Sequence, residues 1–169
     1  MMQLELNATA QILSFLDKLG VGYRLIRHAP AHTMEDLDEA QRELGALIPK
    51  NLFLTPRNNS AFYLCLVMPD AQFRTADISK QIGSSRLSFA TAEQLRAMLD
   101  THPGAVSPLG LIFESARDVK LLIDRRLARQ PLLAFHPNDN AQSLSMTGSD
   151  FFQRFLPATG HDFRWVDVA

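Results

Sequence analysis

A lysine and an asparagine stand directly in front of an apolar stretch in this chain. Lys50 and Asn51 precede Leu52-Phe53-Leu54, and a polar turn at 56–60 separates this run from a second apolar run at 62–67. Two apolar runs joined by a short polar turn predict a β-hairpin. Burying an ammonium and an amide at the start of a core strand costs free energy unless an anion or a polar ligand compensates for the lost hydration. The alternative is a strand-end lysine whose ammonium reaches solvent.

The loop 102–110 is a second candidate for binding chemistry. Pro103 and Pro108 restrict the backbone, while Gly104 allows shapes that other residues resist. Such a loop can hold backbone amides in a fixed orientation toward a ligand or a developing oxyanion. An ordinary Pro/Gly connection is the alternative.

A third candidate follows the apolar run 132–135. His136 comes first, and Asn138 and Asn140 follow it. A histidine at a strand end, with amide side chains beside it, can position a polar ligand or a water molecule. Pro137 and the asparagines are equally typical of a turn.

Other chemical groups give weaker indications. We expect His28, His32 and His161 to have surface or capping roles, and Cys65, inside an apolar run, to be a core residue. The densest basic cluster, Arg125, Arg126 and Arg129, indicates either a solvated face or phosphate contacts, in which case charge reversal there would weaken RNA binding. The sequence has no spacing of Cys and His typical of a metal site, no Gly-rich nucleotide loop and no nucleophile elbow. We therefore expect neither a metal nor a cofactor.

The composition is that of one ordinary globular domain, which we expect to span 1–169. Apolar residues make up 46% of the 169 residues and charged residues 21%. The formal net charge of −1 predicts no extended footprint on DNA or RNA, so any nucleic-acid contact is expected to be local. No segment resembles a signal peptide or a membrane span, which favours a cytoplasmic protein without a membrane partner.

The pattern of short apolar segments predicts an α+β fold with a mixed, mostly antiparallel sheet and surrounding helices. Asn7 caps a predicted helix that ends at Gly20, and Thr33 with Asp36 resembles a capping box before a short acidic helix. Further helices are predicted at 76–82, after Thr91 through Leu99, and at 150–156. The predicted strands are 23–27, 50–54, 62–67, 86–89, 111–113, 119–123, 132–135, 143–146 and 163–166.

Four segments together resemble the YbaK and prolyl-tRNA synthetase insertion-domain family of aminoacyl-tRNA deacylases, and in particular its free-standing branch. They occur in the family's order and spacing, within a resemblance that runs from about residue 8 to the C-terminus. The segments are Lys50-Asn51-Leu52-Phe53-Leu54, Arg86-Leu87-Ser88-Phe89-Ala90, Pro103-Gly104-Ala105-Val106-Ser107-Pro108 and Phe135-His136-Pro137-Asn138-x-Asn140.

The resemblance implies trans-editing, which is hydrolysis of the ester between a wrong amino acid and tRNA-Pro, with alanine as the expected amino acid. Lys50 matches the family's essential lysine, Gly104 and Pro108 match its Gly-x-x-x-Pro loop, and His136 matches a site histidine. Water and the terminal ribose hydroxyl of the tRNA would act without a metal or a protein nucleophile. The implied catalytic residues are therefore Lys50, His136 and Gly104, and the implied substrate-binding residues are Asn51, Ser107, Pro108 and Asn138.

The resemblance leaves alternatives for the function. One is a non-catalytic module of the same fold that binds an aminoacyl group or an amino acid, and another is a deacylase for tRNA carrying serine or cysteine. A third is an esterase for small amino-acid esters, which the near-neutral charge of the chain allows. The implied partners are the acceptor end of misacylated tRNA and, as a further possibility, prolyl-tRNA synthetase.

Overall fold

The structure, a computed structural model, describes residues 7–30 and 37–169. The helices are α1 (Ala8–Leu19), α2 (Asp38–Leu44), α3 (Thr75–Ile82) and α4 (Ala92–Leu99), followed by α5 (Gly148–Asp150), a π-helical turn (Phe151–Phe155) and α6 (Leu156–Thr159). The strands are β1 (Arg24–Arg27), β2 (Lys50–Pro56), β3 (Tyr63–Val67), β4 (Leu87–Phe89), β5 (Lys120–Asp124), β6 (Leu132–Phe135), β7 (Gln142–Thr147) and β8 (Phe163–Val166).

The predicted α+β class is confirmed, with the strands divided between two sheets. A five-stranded mixed sheet has the order β4-β2-β3-β5-β8, in which β3, β5 and β8 are parallel and the remaining pairs antiparallel. A three-stranded antiparallel sheet has the order β1-β7-β6. Most strand pairs are therefore antiparallel, as predicted.

Local capping explains why several helix ends were predictable. The Asn7 side chain accepts a hydrogen bond from the Ala10 amide, and Gly20 ends α1 at a φ of 75°. Thr91 and Gln94 form a reciprocal capping box at the start of α4. The capping box predicted at Thr33 and Asp36 lies outside the described residues, as does His32.

The strand predicted at 111–113 is wrong. This apolar run belongs instead to a 3-10 helix, Pro108–Ile112, which Ser107 caps through its side chain. Pro108 at the first helical position has its φ preset for a helical turn. Three apolar residues in a row do not distinguish a strand from a buried helical turn.

The main core lies between the two sheets and the helices α1 and α4. Alternation along β2 sends Phe53 into this core and Leu54 to the opposite face of the five-stranded sheet, where it packs with Ile78 of α3. A third cluster joins α2 to the outer face of the three-stranded sheet through Leu44, Ile26 and Ala134. Within the described residues, none of the helices has the length and apolar character needed to cross a bilayer.

Candidate active site

The junction between the two sheets places Lys50 and His136 at the same end of the fold. Leu47 forms a parallel bridge with Leu133 of β6, and its carbonyl accepts the Ala134 amide at 2.9 Å. The two segments run in the same direction from the bridge. Three residues further on, the first segment reaches Lys50 and the second reaches His136, so both residues lie at the same end of the fold. The structure therefore places at one end of the fold two residues that are 86 positions apart in the sequence.

Lys50 begins β2 opposite Val67 and is partly buried. It forms no ion pair with any residue in the described part of the chain. Its neighbour Asn51 donates from Nδ2 to the Pro49 carbonyl at 3.2 Å, while the buried Oδ1 has no partner among those residues. This end of β2 thus offers an uncompensated cation and an unused acceptor, which is an arrangement suited to an anionic or polar ligand.

His136 is only 5% exposed, and its ring is oriented by the Gln142 carbonyl, which lies 2.7 Å from Nδ1. A carbonyl can only accept, so Nδ1 carries the hydrogen and Nε2 of the neutral ring is an acceptor. Burial lowers the pKa of His136, and the charges of His28 and His102 lower it further, against the opposing effects of the Gln142 carbonyl and Asp139. At neutral pH the ring is therefore uncharged, and no described residue bonds its Nε2.

The loop that follows His136 is held from two sides. Thr9 of α1 donates to the Pro137 carbonyl at 2.6 Å. Asn138, at a φ of 59°, donates from Nδ2 to the carbonyls of Leu99 and Asp100 at 2.9 and 3.1 Å. These bonds dock the loop on the first turn of α1 and the end of α4.

Within the same loop, Asp139 holds the backbone around Gln142, the residue whose carbonyl bonds to the His136 ring. Its carboxylate accepts from the Ala141 amide and from the Gln142 side chain, both at 2.9 Å. The bond from Gln142 is the main reason why the pKa of Asp139 is lowered. The Gln142 carbonyl is consequently well placed to orient His136.

The 102–110 loop has the fixed backbone that its sequence predicts. The Ala105 amide bonds to the His102 carbonyl at 3.1 Å, and Gly104 has a φ of 95°. Pro103 followed by a glycine at positive φ is the signature of a type II turn. Thr101 secures the turn by donating to the Ala105 carbonyl at 3.0 Å.

Ser107 and Pro108 are both buried and serve the 3-10 helix that closes this loop. The Ser107 hydroxyl oxygen accepts the Leu109 amide at 3.1 Å. Capping therefore engages that oxygen, and the predicted role of Ser107 and Pro108 in binding substrate stays a prediction.

Asn138 and Gly110 join the two loops at the end of α4. A Cβ at Gly110 would lie 2.8 Å from the Leu99 carbonyl oxygen, which is one of the two acceptors of Asn138. Only glycine allows that approach. Asn138 was predicted to bind substrate; its Nδ2 is committed to this junction, and its Oδ1 is buried without a described partner.

The surface or capping role predicted for His28 is wrong. Its Nε2 lies 2.8 Å from the Ser143 hydroxyl, which lies 3.3 Å from Nδ1 of His136, and the two rings are 6.0 Å apart. His161 is half-buried and holds the turn before β8, with its ring nitrogens 2.9 Å from the Ala116 carbonyl and 3.1 Å from Thr159 Oγ1. Sequence reasoning also missed Thr9, Gln142, Ser143 and Gly110, whose partners lie far along the chain or follow from loop geometry.

Cys65 has none of the features of a nucleophile. It is fully buried, and burial, together with the charge of Asp124, raises the pKa of its thiol to about 12. The prediction that it is a core residue is confirmed.

The arginine cluster is largely neutralised by its own carboxylates. Arg125 pairs with Asp167 at 3.2 Å, and Arg126 pairs at 2.9 Å with the buried Asp124. Arg129 is exposed and forms no ion pair with a described residue. An RNA-binding role for the cluster would therefore depend mainly on Arg129.

Comparison with known proteins shows which family the chain resembles. The family model of the aminoacyl-tRNA editing domain matches residues 28–153. The prolyl-tRNA editing protein ProX of Acetoanaerobium sticklandii is 30% identical over 165 residues, which cover 98% of this chain and all of that protein. The prolyl-tRNA synthetase associated domain-containing protein 1 of Xenopus laevis is 30% identical over 156 residues, covering 90% of this chain and 92% of its own.

The fold also matches solved structures. A crystal structure described as a candidate trans-editing enzyme for prolyl-tRNA synthetase superposes with a TM-score of 0.69 at 19% identity, covering 97% of this chain and 98% of the other. At that identity the match concerns the fold alone. The matched family segment contains Lys50, the 102–110 loop and the loop of His136.

Proposed function

The chain belongs to the family of aminoacyl-tRNA editing domains and is by that membership an aminoacyl-tRNA deacylase, and we propose that it removes alanine from misacylated tRNA-Pro in trans. The observation that carries this proposal is the neutral, oriented His136, whose Nε2 bonds to no described residue, at the same end of the fold as Lys50, which forms no ion pair within the described part of the chain. We further propose that residues 1–169 act as one editing domain in the cytoplasm, where the partners are the acceptor end of the tRNA and prolyl-tRNA synthetase.

Lys50 supplies positive charge to the terminal phosphate or ribose of the tRNA. A partly buried ammonium interacts more strongly with an anion than a fully solvated one, because the effective dielectric constant is lower. Asn51, beside it, offers its unpartnered Oδ1 to a substrate hydroxyl or ammonium group.

The Gly104 turn and His136 position the ester and the water. Nε2 of His136 accepts a hydrogen from the attacking water or from the terminal ribose hydroxyl as the water oxygen adds to the ester carbonyl. His136 then returns the proton to the ribose oxygen as the carbon–oxygen bond to the ribose breaks, giving a free amino acid and a tRNA hydroxyl. Backbone amides of the loop 102–110 face the developing oxyanion. Positioning and electrostatics are sufficient for this route, because the ester is already activated.

Size exclusion accounts for the choice of alanine. One methylene changes binding by only about 1–3 kcal/mol, so a synthetase rejects a smaller amino acid poorly. A rigid pocket rejects a larger ring by steric overlap. The hydrogen bonds that fix the two loops through Asn138 give this pocket the required rigidity.

A substrate panel tests the proposal. We expect rapid release of alanine from alanyl-tRNA-Pro and slow release of proline from prolyl-tRNA-Pro. Seryl-tRNA and cysteinyl-tRNA are assayed beside them for comparison. Preferential hydrolysis of either of these would reassign the amino acid. A minimal alanyl ester hydrolysed as fast as the tRNA would favour a small-molecule esterase. Binding without turnover of any substrate would favour a non-catalytic module and contradict the proposal.

A further inference from the structure

A chain of hydrogen-bonding groups extends from Nδ1 of His136, on the side of the ring opposite Nε2, the nitrogen that is proposed to accept from the water or the ribose hydroxyl. Ser143 Oγ lies 3.3 Å from Nδ1 of His136 and 2.8 Å from Nε2 of His28. Nδ1 of His28 in turn lies 2.8 Å from the Ala29 carbonyl oxygen. We call these three side chains the His28–Ser143–His136 chain.

The hydrogens of this chain have one consistent arrangement when both rings are neutral. The Ala29 carbonyl only accepts, so Nδ1 of His28 is protonated and its Nε2 accepts the Ser143 O–H. The Ser143 oxygen can then accept from Nδ1–H of His136, which it shares with the Gln142 carbonyl in a three-centre bond. Every donor points from His136 toward His28.

We propose that His28 is a positioning residue for the deacylation assigned above: acting through Ser143, it keeps His136 in the tautomer whose Nε2 accepts from the water or ribose hydroxyl. The inference rests on the proposed function. Without His28, the Ser143 hydroxyl would lose its acceptor and could donate to Nδ1 of His136 instead. That donation would compete with the Gln142 carbonyl for Nδ1 and raise the share of the Nε2–H tautomer, which cannot accept at the substrate side.

The sheet holds the chain in place. The His28 amide bonds to the Ala141 carbonyl at 2.9 Å, immediately after β1, and Ser143 pairs with Ile26 in the β1–β7 ladder. Ser143 is fully buried, so solvent does not compete for its hydroxyl. A contact between residues 115 positions apart is thus fixed by backbone pairing.

Charges near the chain act on the protonation of His136 in both directions. His28 lines a 340 Å³ cavity together with Arg27, Glu39 and Glu43, and its charged form disfavours protonation of His136. His102 and Asp139 also act on His136, with opposite signs. A protonated His28 would present a donor to Ser143, so the one-way arrangement of hydrogens requires the neutral form.

A double-mutant cycle tests the proposal through turnover of alanyl-tRNA-Pro. We expect His28→Ala to lower kcat about tenfold with KM nearly unchanged, because the Ser143 hydroxyl then donates to Nδ1 of His136. Ser143→Ala leaves Nδ1–H on the Gln142 carbonyl and should keep kcat within about threefold. Because the harm acts through the hydroxyl, the double variant should recover to the rate of Ser143→Ala. His161→Ala, which removes a histidine of similar burial, is the control and should keep kcat within about twofold. A double variant as slow as His28→Ala would overturn the inference.

Ring ¹⁵N spectra of the protein without tRNA give a second, independent result. We expect His136 to be the Nδ1–H tautomer in the wild type and to gain Nε2–H character in His28→Ala. An unchanged tautomer would overturn the inference even if activity falls. This readout needs no substrate, so it separates a failure of the inference from a failure of the proposed function.

A conservative variant covers the case in which His28→Ala does not fold. In His28→Gln, the side-chain carbonyl can still accept from Ser143, so we expect kcat within about threefold of the wild type and an unchanged His136 tautomer. A tenfold loss with an unchanged tautomer would contradict the role of the acceptor.

Discussion

The loop of His136 and the turn of His161 use the same residue type in two different ways. Each histidine is at least half-buried and accompanied by a backbone carbonyl, Gln142 in the first case and Ala116 in the second. Both nitrogens of His161 lie within hydrogen-bond distance of protein groups, whereas Nε2 of His136 has no described partner. The difference shows that a structural histidine has both nitrogens occupied, and a candidate catalytic one is oriented by one nitrogen and leaves the other available.

Within this comparison, the largest expected effect comes from replacing each of the two histidines by alanine in turn. His136→Ala should lower the rate of alanyl-tRNA-Pro deacylation about 10²-fold, because the acceptor for the water or ribose hydroxyl is lost. His161→Ala should leave the rate within about twofold and act mainly on thermal stability. Equal losses of activity in single-turnover assays would invalidate the comparison.

The pH dependence sharpens the same comparison. Burial lowers the pKa of His136 below the ordinary value of about 6.5. Deacylation should therefore remain fast as the pH falls past that value and decline only where the folded ring becomes protonated.

Stability should follow the same titration with a defined sign. The unfolded ring takes up a proton at a higher pH than the folded ring, so His136 destabilises the fold as the pH falls from about 6.5 toward the lowered pKa. Urea unfolding at several pH values should show a steeper decline for wild type than for His136→Gln in this window. Parallel curves for the two proteins would mean that the ring is not buried in its neutral form.

The junction of the two loops offers a smaller, structural effect. Gly110→Ala places a Cβ 2.8 Å from a backbone oxygen and should cost about 1–3 kcal/mol of unfolding free energy. Gly22 has nothing within 4 Å of its Cβ position, so Gly22→Ala is the matched control and should change stability by less than about 1 kcal/mol. Similar urea midpoints for the two variants would contradict the close approach at the junction.

The smallest expected effect concerns the arginine cluster. Arg129→Glu should weaken tRNA binding by about threefold and reduce the salt slope of binding by about 1, as expected for one phosphate contact. Arg117, exposed and paired with Glu114, provides the comparison variant Arg117→Glu. A salt slope unchanged in Arg129→Glu would exclude the cluster from the RNA interface.

Sequence reasoning succeeded where the signal is local. Asn7, Gly20 and Thr91 mark helix ends because capping involves neighbours within a few residues. The Lys50 hairpin followed from two apolar runs and a turn, and both strands are present. Lys50, Gly104 and His136 were selected by type and by resemblance, and the fold places Lys50 and His136 at the same end.

What the sequence did not reveal depends on contacts between distant residues. The two sheets meet at the bridge between Leu47 and Leu133, and the hydrogen bond of His28 is made with Ser143, 115 positions away. Ser107, predicted to bind substrate, uses its hydroxyl to cap a 3-10 helix, and the last two residues of that helix, Leu111 and Ile112, were predicted as part of a strand. In each case one residue type is compatible with two roles, and tertiary packing decides between them.

The most direct test of the account is single-turnover deacylation of alanyl-tRNA-Pro by the wild type, Lys50→Ala and Lys120→Ala. Lys120 is an exposed lysine beside Tyr63, at the opposite end of β3 from Val67, the partner of Lys50. We predict a loss on the order of 10²–10³ for Lys50→Ala with an unchanged melting temperature, and full activity for Lys120→Ala. Undiminished turnover in folded Lys50→Ala would contradict the assignment of this site.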